Sequence, residues 1–253
     1  MLIYGINPVL EALRAGRVTS IRVSPRGDDR LAALVKLAEE NHVAVRRVSV
    51  ADLTRAAHGV DRHQGVVAEV SEAPSLGVDD LVTQAVGTPL IVVLDGIEDP
   101  HNLGAILRTV DAAGADGVVR QSRHAAPLGG AAAKASAGAS AHVRVAEVVN
   151  IARALEELKD AGVWTVGLAS DGVRTYDQID YTLPTAVVVG AEGVGLRRLV
   201  RERCDWLVSI PMLGRVGSLN VSVATGIALF EAVRQRRAQG ERGVLSSKLN
   251  RSR

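Results

Sequence analysis

Two stretches, Leu90 to Leu94 and Thr185 to Val189, are continuous and almost wholly aliphatic, and they constrain the fold of this chain more than any other feature. A strand with one wet face alternates apolar and polar residues. A strand buried on both faces does not, and runs of this kind belong to parallel sheets covered by helices on each side. Both runs feed directly into loops of another character: Asp95 to His101, with its charges, and Gly190 to Gly195, with its glycines. A third such loop, from Pro211, follows the strand read at Leu207 to Ile210. In open parallel sheets ligands bind outside the carboxyl ends of the strands, so these three loops are where chemistry is expected.

The neighbouring pattern completes the sheet. Strands are read at Gly117 to Val119 and Val163 to Leu168, and helices at about Asn102 to Ala113, within Val145 to Ala161, and at Asn220 to Arg237. Ahead of them, residues 1–71 alternate short strands (Thr19 to Ser24, Val43 to Val48, Val66 to Val70) with helices (GINPVLEALRAG, Asp28 to Asn41, Ala51 to Ala57). That is the pattern of a small α/β domain. Turn formers and acids in SEAPSLGVDDL place a linker at 72–84, which leaves 85–240 for the larger domain. From Arg234 the tail RQRRAQGERGVLSSKLNRSR holds Glu241 as its one acid. Its last part, 241–253, is expected to be flexible and suits attraction to phosphate.

Composition removes several classes. With 253 residues, 47% of them hydrophobic, the chain can fill two cores, and one phenylalanine beside 25 glycines makes those cores aliphatic and the loops tight. The single cysteine, Cys204, excludes an intrachain disulfide and a cysteine-rich metal site, and suits a reducing compartment. No apolar run reaches the length of about 18 residues that a membrane span needs, and no leader peptide is read. The six histidines have no metal-ligand spacing, and no metal is expected. Neither Ser218 nor Ser222 lies in a nucleophile elbow. GAEGVG is followed by Leu196 where a dinucleotide fingerprint needs a third glycine.

The first loop and the helix after it gather Asp95, Glu98, Asp99, His101, Asn102 and Arg108. Asn102 is read as the helix cap, Gly104 as a site of tight packing, and Arg108 as a charge in an otherwise apolar helix. Gly190, Gly193, Gly214 and Gly217 are read as places where backbone comes close to other chain or to a ligand. From residues alone this is an α/β ligand-binding protein.

Three blocks go further: LDGIEDPHNLGAILRTVDAAGADGV from Leu94, VVVGAEGVGLRRLVRERCD from Val187 and IPMLGRVGSLNVSVATGIALFEA from Ile210. In this order they resemble the SpoU (TrmH-like) family of RNA ribose 2'-O-methyltransferases, of the SPOUT class. GINPVLEAL at Gly5 and RHQGVVA at Arg62 resemble that family's substrate-binding domain. The resemblance implies a trefoil-knotted parallel-sheet methyltransferase domain behind a small RNA-binding domain, acting as a cytoplasmic homodimer. It implies S-adenosyl-L-methionine as cofactor, with Gly190, Ile210, Leu219 and Met212 around it. Arg108 would orient the ribose hydroxyl, helped by Asn102, Glu192, Ser218 and Asn220. RNA, first of all 23S rRNA methylated on a guanosine, would be held with Arg14, Arg62 and His63. Three alternatives stay open: a tRNA ribose methyltransferase, a resistance-type enzyme acting on another rRNA nucleotide, and a non-catalytic RNA-binding or ribosome-assembly protein. The segment Gly129 to Ser140, GGAAAKASAGAS, departs from the family pattern, which puts its order and its RNA contacts in question.

Overall fold

The computed structural model describes residues 1–25, 27–60, 63–71 and 76–240. In chain order its elements are β1 (Leu2–Tyr4), α1 (Ile6–Arg14), β2 (Val18–Val23), α2 (Asp29–Glu40), β3 (Ala44–Arg47), α3 (Val50–Ala56), β4 (Val66–Val70) and α4 (Val78–Thr83). There follow β5 (Leu90–Asp95), α5 (Pro100–Ala113), β6 (Gly117–Gln121), α6 (Gly130–Ala135), β7 (Val145–Val148), α7 (Ile151–Asp160) and β8 (Trp164–Leu168). Last come β9 (Arg174–Thr175), β10 (Thr185–Gly190), α8 (Arg198–Arg203), β11 (Trp206–Ser209) and α9 (Val221–Ala238). They fall into two compact units.

The first unit gathers the described residues of Met1–Pro74 with Asp99–Arg108 and Ala126–His142. Its sheet runs β1-β4-β2-β3, antiparallel except for the β2/β3 pair. Helix starts are capped as the sequence allows. The Asp28 carboxylate accepts the Leu31 N–H at 3.0 Å, and the Ser49 hydroxyl oxygen accepts the Asp52 N–H at 3.2 Å. Helix α1 has glycine before it and no cap of its own; the Gln64 side-chain oxygen accepts the Ile6 N–H at 2.9 Å instead. Ile3, Val9, Leu13, Ile21, Leu34 and Val66 make the core, and Ala133 of α6 joins them. The alanine-rich segment is therefore ordered into a helix and a following 3₁₀ turn, Ala139–Ala141, both packed on this unit. Gly104 of α5 lets α6 come close: a Cβ there would stand 2.6 Å from the Ala132 carbonyl oxygen and 2.9 Å from the Ser136 nitrogen.

Among the described residues the second unit holds seven strands, all parallel, in the order β7-β6-β5-β10-β8-β11-β9. Every residue of β5 is buried, as its unbroken apolar run requires. Ile91, Val93, Val119, Leu155, Leu158, Val188 and Val200 lie in one core cluster, each side chain contributing about 1.5–3 kcal/mol by leaving water. Val78 and Leu81 belong to it too, so the stretch read as linker contains a packed helix, α4. The stretch read as holding one helix from Val145 begins with a strand, β7. Asn150 separates the two, its side-chain oxygen accepting the Arg153 N–H at 3.3 Å.

At the far end of the sheet Arg236 of α9 donates to four carbonyl oxygens: Tyr181 at 2.8 Å, Thr88 at 2.6 Å, Pro89 at 3.0 Å and Leu183 at 3.2 Å. Thr88 and Pro89 lead into β5, and Tyr181 and Leu183 lead into β10. The order of strands reverses between these two, with β6 and β7 on one side and β8, β11 and β9 on the other. The carboxyl ends of β5 and β10 therefore mark the switch point, where Gly190 is the ladder partner of Asp95.

Candidate functional site

A cavity of about 470 Å³ opens at the carboxyl ends of β8, β10 and β11. Gly190, Glu192, Ile210, Met212, Ser218 and Leu219, all selected from sequence, line it together. Leu168, Val189, Ile210, Met212 and Leu219 give it apolar walls, and the strand ends bring main-chain polar groups to the same space. That combination, at a volume within the roughly 300–1,000 Å³ of small-molecule sites, suits a ligand with a flat apolar part and a polar rim. Asn220 stands at the start of α9 between two lining residues. Its side-chain oxygen accepts the Ser222 N–H at 2.9 Å and the Ser222 hydroxyl at 2.6 Å.

Loop Gly190 to Gly195 is folded tightly on itself. The Gly195 N–H donates to the Ala191 oxygen at 2.8 Å, and a Cβ on Gly190 would overlap the Gly195 carbonyl group and the Leu196 nitrogen. Gly193 and Gly195 have φ of +79° and +72°, where side-chained residues are strained. At Gly214 and Gly217 the structure shows no close approach of chain to chain: nothing lies within 4 Å of a Cβ at either, and neither has a positive φ, which leaves the cofactor as the neighbour expected there. Gly217 lines the cavity all the same.

Two ion pairs frame this site. Asp95, buried at the end of β5, accepts the Arg197 main-chain N–H at 2.8 Å and its Nε–H at 2.6 Å, and also pairs with Nη2. Arg201 on the cavity lining donates Nη1 and Nη2 to the two oxygens of Asp171 at 3.0 and 2.9 Å, which holds that carboxyl below its usual range. Sequence reasoning gave neither arginine a role; their carboxylate partners lie 102 and 30 positions away. Burial pushes the Cys204 thiol up to about 12, so it stays protonated and non-nucleophilic at neutral pH.

The other selected residues lie in the first unit. Asn102 is buried and Arg108 exposed on α5. Asn102 is not the cap of that helix: α5 begins at Pro100, and Asp99 accepts the N–H of His101 at 3.0 Å and of Asn102 at 3.4 Å. Arg14 is on the surface, paired with Glu11 at 2.7 Å. His63 is buried. Its Nδ1 accepts the Gly65 N–H at 3.1 Å and its Nε2 is 3.2 Å from the Thr54 hydroxyl, so the ring braces its own loop. It also lines a cavity of about 680 Å³ with Ser24, Arg30 and Gln64. Arg62 lies outside the described residues. Among the described residues no helix is long and apolar enough to cross a membrane, and no cluster of histidine, cysteine or carboxylate residues suits a metal.

Residues 89–230 match the model of the SpoU rRNA methylase family, and residues 2–76 match the model described as RNA 2'-O ribose methyltransferase substrate binding. A 23S rRNA (guanosine-2'-O-)-methyltransferase of Pseudomonas syringae pv. tomato is 46% identical over 243 residues, spanning 94% of this chain and 96% of the relative. Among solved structures, the SpoU methyltransferase AviRb of Streptomyces viridochromogenes in complex with AdoMet superposes with a TM-score of 0.79 at 28% identity, covering 94% of this chain and 91% of that one. An AdoMet-bound rRNA methyltransferase of Sinorhizobium meliloti gives 0.77 at 28% identity, over 92% and 86%.

Proposed function

The chain belongs to the SpoU rRNA methylase family, and from that membership we propose that it transfers a methyl group from S-adenosylmethionine to the 2'-hydroxyl of a guanosine in 23S rRNA. The observation that carries this reading is the convergence of Gly190, Glu192, Ile210, Met212, Ser218 and Leu219 on one cavity at the ends of three parallel strands. Gly190, Ile210, Met212 and Leu219 would hold the cofactor between main chain and apolar side chains. When bound, it supplies an electrophilic methyl group on a sulfonium centre.

A ribose hydroxyl is a weak nucleophile, so positioning has much of the work to do. We assign that task to Arg108, with Asn102, six positions earlier in the same helix, as its support from the helix start. A guanidinium is not a base at neutral pH, so Arg108 acts by orienting the hydroxyl and stabilising negative charge as it develops on the oxygen, while the hydroxyl proton leaves to a phosphate oxygen of the RNA. Glu192, Ser218 and Asn220 would shape the surroundings of the reacting groups. The RNA-binding domain is placed at 1–71 with Arg14, Arg62 and His63 as its contacts, the connection at 72–84, whose helix α4 packs on the second unit, the knotted catalytic domain at 85–240 and a basic tail at 241–253. His63 would act there through loop shape, since both its ring nitrogens are engaged. The knot is carried over from the family. Half-exposed Val223 and Phe230, two turns apart on α9, support a homodimer. A cytoplasmic setting follows from an RNA substrate.

Methyl transfer from labelled S-adenosylmethionine to unmodified 23S rRNA and, separately, to tRNA tests this, with the product nucleoside mapped. Label is expected as 2'-O-methylguanosine in 23S rRNA. Arg108→Ala is expected to lower kcat by about 10²- to 10³-fold while cofactor affinity stays that of the wild type. Label in tRNA would replace the rRNA assignment, and cofactor binding without label in either RNA would point to a binding protein.

A further inference from the structure

We propose that Asp95 is a positioning residue for cofactor binding, one that fixes the Gly190 to Leu196 wall of the cavity through Arg197; this rests on the reading of that cavity as the S-adenosylmethionine site. Asp95 ends a strand whose five preceding residues are buried and apolar, and it is itself 1% exposed. A carboxylate in such a place is costly unless its charge is paired and its lone pairs are used. Here they are used on one residue. Arg197 supplies a main-chain N–H at 2.8 Å, its Nε–H at 2.6 Å, and Nη2 as well.

Position in the chain shows what this achieves. In the strand ladder Asp95 is the partner of Gly190, the last residue of β10 and the first of the loop. Its side chain grips Arg197, the residue just after the loop and just before α8. One residue thus registers both ends of a seven-residue wall segment, while the bridge between Ala191 and Gly195 closes the segment in the middle. The wall carries Gly190, Glu192 and Gly193, all on the cavity lining. Arg197 is half-exposed, and it is not among the lining residues. The pair acts on ligand geometry from behind the wall.

The test uses the full chain and S-adenosylmethionine itself. Asp95→Asn keeps an acceptor for the Arg197 main-chain N–H but turns an amide NH₂ toward the guanidinium. Kd and KM for S-adenosylmethionine are expected to rise about 10- to 100-fold, the range of a lost charged hydrogen bond. The kcat at saturating cofactor and the KM for RNA are expected to stay within about twofold of wild type. Arg197→Ala is expected to show the same split, and the double variant to be no worse than the worse single one, because both remove one interaction. Arg197→Lys, which keeps the main-chain bond and the charge, is expected to recover part of the affinity. Should Asp95→Asn fail to fold, the two Arg197 variants carry the same test. A folded Asp95→Asn with wild-type cofactor affinity would overturn the proposal. So would losses in kcat, both KM values and melting temperature that rise and fall together, which describe a structural residue. A wild-type chain that fails to bind S-adenosylmethionine would instead remove the reading of the cavity, before any variant is made.

Discussion

The two glycine-bearing loops of the cavity use their glycines for different ends. In Gly190 to Gly195 the glycines answer to the chain itself: one sits where main chain crosses main chain, and two take left-handed backbone angles. In Pro211 to Asn220, Gly214 and Gly217 answer to nothing within 4 Å, and Leu213 and Val216 beside them are 99% and 67% exposed. The first loop is shaped by its own fold. In the second, Gly217 lies on the cavity lining with open space around it. On the proposed reading, identical residue types thus report a folding constraint in one place and room left for a ligand in the other.

Three substitutions can break or sharpen this contrast. The largest effect is expected from Gly190→Ala, whose Cβ would meet main chain that cannot swing aside. Overpacking against backbone should cost about 3 kcal/mol, a fall in melting temperature of roughly 6–12 °C, with cofactor binding lost as well. Gly193→Ala has open space but a φ of +79°, so a loss of about 1 kcal/mol in chemical denaturation is expected. Gly217→Ala should leave stability within about 0.5 kcal/mol of wild type and weaken S-adenosylmethionine binding, measured by titration on the same preparation. Unchanged affinity in that variant would erase the distinction between the loops.

How much of this was legible in the sequence depended on whether the reason for a residue was local. Strands β5 and β10 could be read because burial on both faces leaves an unbroken apolar run. Helix α6 could not: five of its first six neighbours from Gly129 are glycine or alanine, with no periodicity, and its order comes from packing on β1 and α1. Strand β7 was hidden because Val145, Ala146 and Val148 continue the apolar spacing of Ile151, Ala154 and Leu155, and only the Asn150 side chain shows where one stops.

The site divides the same way. Its lining residues were legible because three motifs carry them. The part played by Asp95 was not, because its partner is 102 positions away. His63 was misleading in the opposite sense. It follows Arg62 in a basic motif that suggests a surface, yet Thr54 and Gly65 hold it inside. Whether Gly214 and Gly217 served the chain or a ligand stayed open in the sequence, because composition alone cannot tell a glycine needed by the chain from one needed by a guest.

The four carbonyls held by Arg236 have a consequence for the birth of the molecule. Arg236 and Thr88 are separated by 148 positions, so the starts of the two central strands wait for the last described helix before their final clasp can form. On the ribosome, β5 and its neighbours emerge long before that arginine does. Long-range closure of this kind slows folding and leaves a partly assembled sheet open to wrong partners. Closure of the sheet is thus expected late in synthesis, with its first half open to aggregation until then.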